Sequence, residues 1–276
     1  MGSYLGFQPA DPKKDFEFSL GTFVVQHLSF GEIVNTLSTL VSDLHNCSAV
    51  LEKFLLISNQ DKSLMDGKHL LLSTELEYLV IVIRSIYDLL QKLSKYAAAL
   101  IRNPEKPQIR GISLPDSFAK IVLDGERVRS TDEIRNKFNL PESLAKFYAS
   151  KAIHFKWLRE FRVAIEHHGH NPPIIFDLDD GVAVSLRDYP WNTLSVWQDN
   201  QDFIRNNHLG SLHAVFVYLI SEVIETTSQY SNAFSEAILL PPAVEPGIKF
   251  YVRNYFSHHL VDLNHTMQSP WERLKL

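Results

Sequence analysis

The sequence predicts an all-α fold, an antiparallel helical bundle with one inserted β-hairpin. Three observations predict it. Four long segments repeat apolar residues at alternating steps of four and three, which keeps one side of a helix against its neighbours. Every proline lies outside these segments, as expected if they are helices. One Asp-Asp-Gly turn has an apolar run on each side, a hairpin signal.

The elements follow in chain order. Residues 1–30 read as an N-terminal arm. The first seam is Ile33, Leu37, Leu40, Leu44, Cys47, Leu51 and Phe54. The second runs Leu72, Leu76, Leu79, Ile83, Ile86, Leu90, Leu93, Ala97 and Leu100, and it ends before Asn103-Pro104 and Lys106-Pro107. Proline lacks an amide donor and restricts the residue before it. The stretch from Gly111 to Phe138 is polar and mixed, so short helices or a loop are expected there. Pro141 opens the third helix, where its missing donor costs little. That helix carries Leu144, Tyr148, Lys151, Phe155, Leu158, Arg162 and Ile165, and Gly169 with Pro172-Pro173 closes it. Ile174–Leu178 and Val182–Leu186 flank Asp179-Asp180-Gly181 as the hairpin. The fourth seam is Leu209, Leu212, Phe216, Leu219, Val223, Thr226 and Tyr230. Residues 241–276 form a proline-rich tail, in which Lys249–Phe256 reads as a strand or an irregular arm. No linker composition divides the chain, so residues 1–276 are read as a single domain with an arm at each end.

Composition excludes several classes. Hydrophobic residues are 45% and charged residues 21% of 276, ordinary for a chain that buries a core. A formal charge of −5 excludes a cationic coat for nucleic acid, though not a local basic site. Cys47 is the only cysteine, so no internal disulfide forms. No apolar run approaches the ~20 residues of a membrane span, and the first residues lack a secretory leader's apolar run. A cytoplasmic protein without a membrane segment is expected. Glycine-rich phosphate loops, CxxC, HExxH and GxSxG are all missing. No cofactor is expected.

The densest candidate site is Leu158-Arg159-Glu160-Phe161-Arg162-Val163-Ala164-Ile165-Glu166-His167-His168-Gly169-His170, at the end of the third helix. Arg162 holds a seam position that the heptad reserves for an apolar side chain. A guanidinium there must snorkel, pair, or face a partner or cavity. Lys151 stands on the same seam, so this helix is expected to meet something polar. Arg84 flanks the second seam, pairing with Asp88 or lining the same cleft as Arg162. Trp157 and Phe161, with Ile153 and Ala164, form a second apolar stripe, so this helix is either central in the bundle or part of a dimer interface, the second being favoured. A metal held by His167, His168 and His170 with Asp177, Asp179 or Asp180 is disfavoured, because adjacent helical histidines diverge by about 100°. His258, His259 and His265 read as surface residues.

Arg162-x4-His167 at the end of a bundle helix resembles the HEPN superfamily, small helical bundles that include RNA-cleaving toxins and defence proteins. The resemblance spans roughly Leu72–Gly169. It implies a homodimer whose motifs share a cleft and a metal-independent endoribonuclease, with an antitoxin or other partner protein. His167, or His168 in its place, would take the proton of a ribose 2′-OH, and Arg162 would stabilise charge on the phosphoryl oxygens. Arg159, Arg84 and Lys151 would contact the RNA. Val163 departs from the family pattern, which carries a polar residue there. A spacing of five turns an ideal helix by about 140° from its start, so convergence needs an unwound last turn or a second protomer. The alternative is a non-catalytic helical scaffold that binds a protein or RNA partner.

Overall fold

A computed structural model describes residues 2–28, 31–60, 67–102, 112–168, 174–187, 189–198, 201–206, 208–238, 240, 242–268 and 271. The four periodic segments are its four long helices: α2 (Gly31–Ser58), α3 (Lys68–Tyr96), α6 (Glu142–His168) and α7 (Leu212–Ala237). Side-chain registers give their directions. Lys53 meets Glu75 and Asp43 meets Ser85, so α2 and α3 are antiparallel. Lys151 meets Glu222 and Ser143 reaches the Ala233 carbonyl, so α6 and α7 are antiparallel as well. Most of the expected seam residues are buried, including Leu40, Leu44, Cys47, Leu76, Ile83, Leu158, Phe216 and Val223; Leu100 and Arg162 are half-buried, and the side chain of Ile165 lies outside the described residues. Short elements complete the helical set: α1 (Ser19–His27), α4 (Phe118–Val122), α5 (Thr131–Phe138), α8 (His258–Val261) and α9 (Leu263–Thr266).

The all-α expectation is corrected. Among the described residues the fold is mixed, with three separate antiparallel sheets around a helical core. The first joins β1 (Gly2–Gly6) and β2 (Phe16–Glu17) to either side of β9 (Lys249–Arg253), so the two arms are strands of one sheet. The second is the ribbon β3 (Leu123–Asp124) with β4 (Arg127–Val128). The third contains the expected hairpin, β5 (Ile175–Leu178) and β6 (Gly181–Ser185), closed through Leu178↔Gly181. That hairpin is extended by β8 (Leu209–Ser211) and β7 (Ile204–Arg205). The fourth periodic segment therefore begins as a strand, and α7 starts only after Ser211, whose hydroxyl accepts the Ala214 amide at 3.2 Å. The strands that were not expected, β1, β2, β3, β4, β7 and β8, escape a periodicity reading because each is only two to five residues long.

Polar side chains thread the bundle seam. Ser94 Oγ lies 2.8 Å from Tyr148 Oη and 2.9 Å from Tyr230 Oη. Tyr148 donates to Gln91 Oε1 at 2.7 Å, and Gln91 Nε2 donates to the Pro115 carbonyl at 2.8 Å. Burial pushes the phenols of Tyr148 and Tyr230 up from their ordinary value. Phe118 of α4 plugs the opening beside this ladder, its ring packed on Tyr87, Tyr148 and Phe155. Asp88 fixes that plug by accepting the Phe118 amide at 3.0 Å.

Candidate functional site

The residues singled out in the sequence point in different directions. Lys151 is buried, and its ammonium pairs with Glu222 of α7 at 2.8 Å. The expectation of a polar counterpart is met inside the chain. Arg159 turns toward the β3–β4 ribbon, donating to Glu126 at 3.2 Å and to the Gly125 carbonyl at 3.4 Å. Its guanidinium and the Lys151 ammonium therefore answer to protein carboxylates on different sides of α6. Arg84 is half-buried on α3, one turn before Tyr87, and Arg162 is half-buried on α6. The side chains of His167 and His168 lie outside the described residues, as do Gly169 and Pro172-Pro173. The α6 backbone is helical through His168, so the last turn does not unwind before either histidine. A regular helix separates Arg162 from His167 by about 140°.

Two residues of the second apolar stripe, Trp157 and Phe161, find cover within the chain, and the side chain of Ala164 lies outside the described residues. Trp191 packs edge-on against Phe161 at 4.9 Å and against Trp157 at 6.0 Å. Trp157 Nε1 donates to the Pro190 carbonyl at 3.0 Å. Ile153, assigned to the same stripe, is instead 75% exposed.

That cover creates a cleft of about 550 Å³, within the range of small-molecule sites. One wall is α6, with Ser150, Ile153, His154, Lys156, Trp157 and Glu160. The segment Tyr189–Gln198 forms the second wall with Tyr189, Thr193, Leu194, Ser195 and Gln198, and α7 supplies Tyr218 and Glu222. Helical spacing explains the first wall, because positions 150, 153, 154 and 157 repeat by three and four. Charges around the cleft are matched. Glu222 is held by Lys151, and Glu160 by Lys156 at 3.4 Å and by the Tyr189 hydroxyl. Burial and the Glu160 carboxylate together push the Tyr189 phenol up to about 12. Ser195 Oγ lies 2.7 Å from Tyr218 Oη across the cleft.

His154 is the feature that sequence reasoning missed. Its Nδ1 lies 2.8 Å from Tyr87 Oη, which also approaches Thr226 Oγ1 at 3.3 Å. Thr226 donates its own proton to the Glu222 carbonyl at 2.7 Å. Nε2 is buried and has no hydrogen-bond partner among the described residues. Burial, and then the Lys151 charge, hold the imidazole down at about 3, so it is neutral at pH 7. A His three residues after a seam lysine was the available signal; only the fold shows that Tyr87 and Tyr218 enclose it.

Another group of potential ligands lies at the far end of the chain. Glu52 of α2 and His258 and His259 of α8 each offer a donor atom, all within 4.8 Å of one another. His259 is buried, which corrects its reading as a surface residue. No family model, curated protein or solved structure matches the chain.

Proposed function

We propose that the chain is a cytoplasmic, non-catalytic helical scaffold whose cleft between α6, α7 and Tyr189–Gln198 binds a neutral, partly aromatic ligand. The observation that carries this reading is His154 Nε2, buried beside the cleft without a partner among the described residues. An unmet buried polar atom costs ~1–3 kcal/mol, and a ligand's polar group recovers that cost when a small shift of the cleft wall uncovers the nitrogen. Paired carboxylates and ammonium groups favour an uncharged guest over a phosphate chain, which needs uncompensated cations. Trp157, Leu194 and Tyr218 supply the apolar and aromatic surface. The cytoplasmic assignment rests on the single cysteine and on the lack of a membrane-length apolar run in the sequence.

The second reading is the HEPN-like ribonuclease of a defence or toxin–antitoxin type. Arg162-x4-His167 near the end of α6 favours it, and a second protomer would be needed to bring the two side chains together. One set of measurements separates the readings. Saturation-transfer NMR with benzamide and indole is expected to show contact with the wild type and at least a tenfold weaker signal with I153W, which fills the cleft. RNA incubated with the protein in EDTA is expected to stay intact. Cleavage that survives EDTA and is lost in both R162A and H167A replaces the scaffold reading with the nuclease.

A further inference from the structure

We propose that Glu52, His258 and His259 form a zinc-class divalent metal site that fastens the C-terminal segment to α2. Three donors from two distant parts of the chain converge there, with all three ligand atoms within 4.8 Å. Tetrahedral zinc places its ligands ~3.4 Å apart at bond lengths of ~2.0–2.2 Å, so small side-chain rotations suffice. His259 Nε2 already lies 2.6 Å from Glu52 Oε2, and a cation takes the place of the proton these atoms share.

Adjacent histidines usually diverge on a helix, but these two open a single-turn helix and their rings lie side by side, 4.1 Å apart and tilted by 39°. The turn before α8 is built to hold them so. Asn254 Nδ2 donates to Ser48 Oγ on α2 at 3.1 Å, one turn from Glu52. Asn254 Oδ1 accepts the Phe256 amide, and Ser257 Oγ donates to the Lys14 carbonyl. His258 is exposed, so the cation has an entry path and its remaining coordination position faces water. Two imidazoles and one carboxylate select zinc and its neighbours over magnesium or calcium, which take all-oxygen sites. The site is separate from the α6–α7 cleft and does not depend on its function.

Isothermal titration of the EDTA-treated full chain with zinc sulfate tests the proposal. The expected result is one zinc per chain, at least tenfold weaker binding in H258A and in E52Q, and unchanged binding in H265A. Magnesium is expected to give no heat above dilution. Zinc at a hundredfold excess over Kd is expected to raise the Tm by roughly 5 °C in the wild type but not in H258A. His258 is exposed and E52Q keeps a partner for His259, so both variants retain the fold. A wild type that binds no zinc overturns the site. So does binding that survives H258A, or binding that disappears in the double variant H167A/H168A.

Discussion

His154 is an imidazole that cannot take a proton in the folded chain without losing water and facing the Lys151 ammonium. Its folded pKa falls from 6.5 to about 3, while the unfolded ring keeps its ordinary value. Between those limits the unfolded state binds more protons, so this contribution to stability is complete above pH ~6.5 and drains away as pH falls toward 3. The slope reaches at most ~1.4 kcal/mol per pH unit. H154F keeps a ring of similar shape and removes the titration, so its urea midpoint is expected to change less between about pH 7 and pH 4.5 than that of the wild type. Asp15, pulled down to about 2 by its hydrogen bonds to Arg253 and Tyr4 against an opposing burial effect, loses its contribution at still lower pH in both proteins. Parallel acid curves for the two would show that His154 protonates freely in the fold. At this scale the sequence was partly legible. A lysine on the third seam demanded a counterpart, and Glu222 provides it. The unmet nitrogen of His154 is a property of its enclosure by Tyr87, Tyr218 and Lys151, which no spacing along one helix reveals.

Element packing turns on close approaches that hydropathy cannot register. Gly21 in α1 is one: a Cβ there would lie 2.6 Å from Phe250 Cδ1 on β9 and 2.9 Å from Phe18 Cδ1. Both rings are buried, so neither can swing into solvent. Two effects oppose each other in G21A. Alanine improves helix propensity by ~1 kcal/mol, while overpacking costs ~1–3 kcal/mol. The clash is expected to win, lowering stability by about 1 kcal/mol in urea unfolding; a G21A variant more stable than wild type would mean that α1 and β9 are less tightly apposed. Long helices were legible because an apolar stripe sustained over many turns at steps of four and three fits a helix and no strand. The β5–β6 hairpin was legible because Asp179-Asp180-Gly181 encodes its own turn. β1 and β2 were not, since Gly2, Ser3 and Gly6 of β1 have little strand propensity and the partners of both lie at the other end of the chain, on β9, where a strand or an irregular arm was expected. The Ser130–Glu133 capping box marks the start of α5, which like α4 is a short helix inside the stretch where short helices or a loop were expected.

At the scale of the whole molecule, the two termini are one structural unit laid against the bundle. β9 is the central strand between β1 and β2, so neither N-terminal strand has a sheet without it. Asp15 pairs with Arg253, and Gln26 of α1 donates to the carbonyls of Glu245 and Ile248. Phe250, Val252, Leu260 and Leu263 are all buried, each worth ~1.5–3 kcal/mol. Their sum rivals the net stability of a typical domain, ~5–15 kcal/mol. Removing residues 248–276 is therefore expected to release the N-terminal segment at the least. The bundle has a separate source of cohesion, since α3 and α6 join through Gln91, Ser94 and Tyr148 and through Tyr87 and His154, all outside the removed segment. Hydrogen exchange distinguishes the outcomes. Amides of β1, β2 and α1 are expected to lose protection in the truncated chain while those of α3 and α6 keep it, though at a lower Tm. Loss of protection in every helix at once would make the terminal sheet and the bundle a single cooperative unit, and retained protection in β1 would remove β9 from its central role.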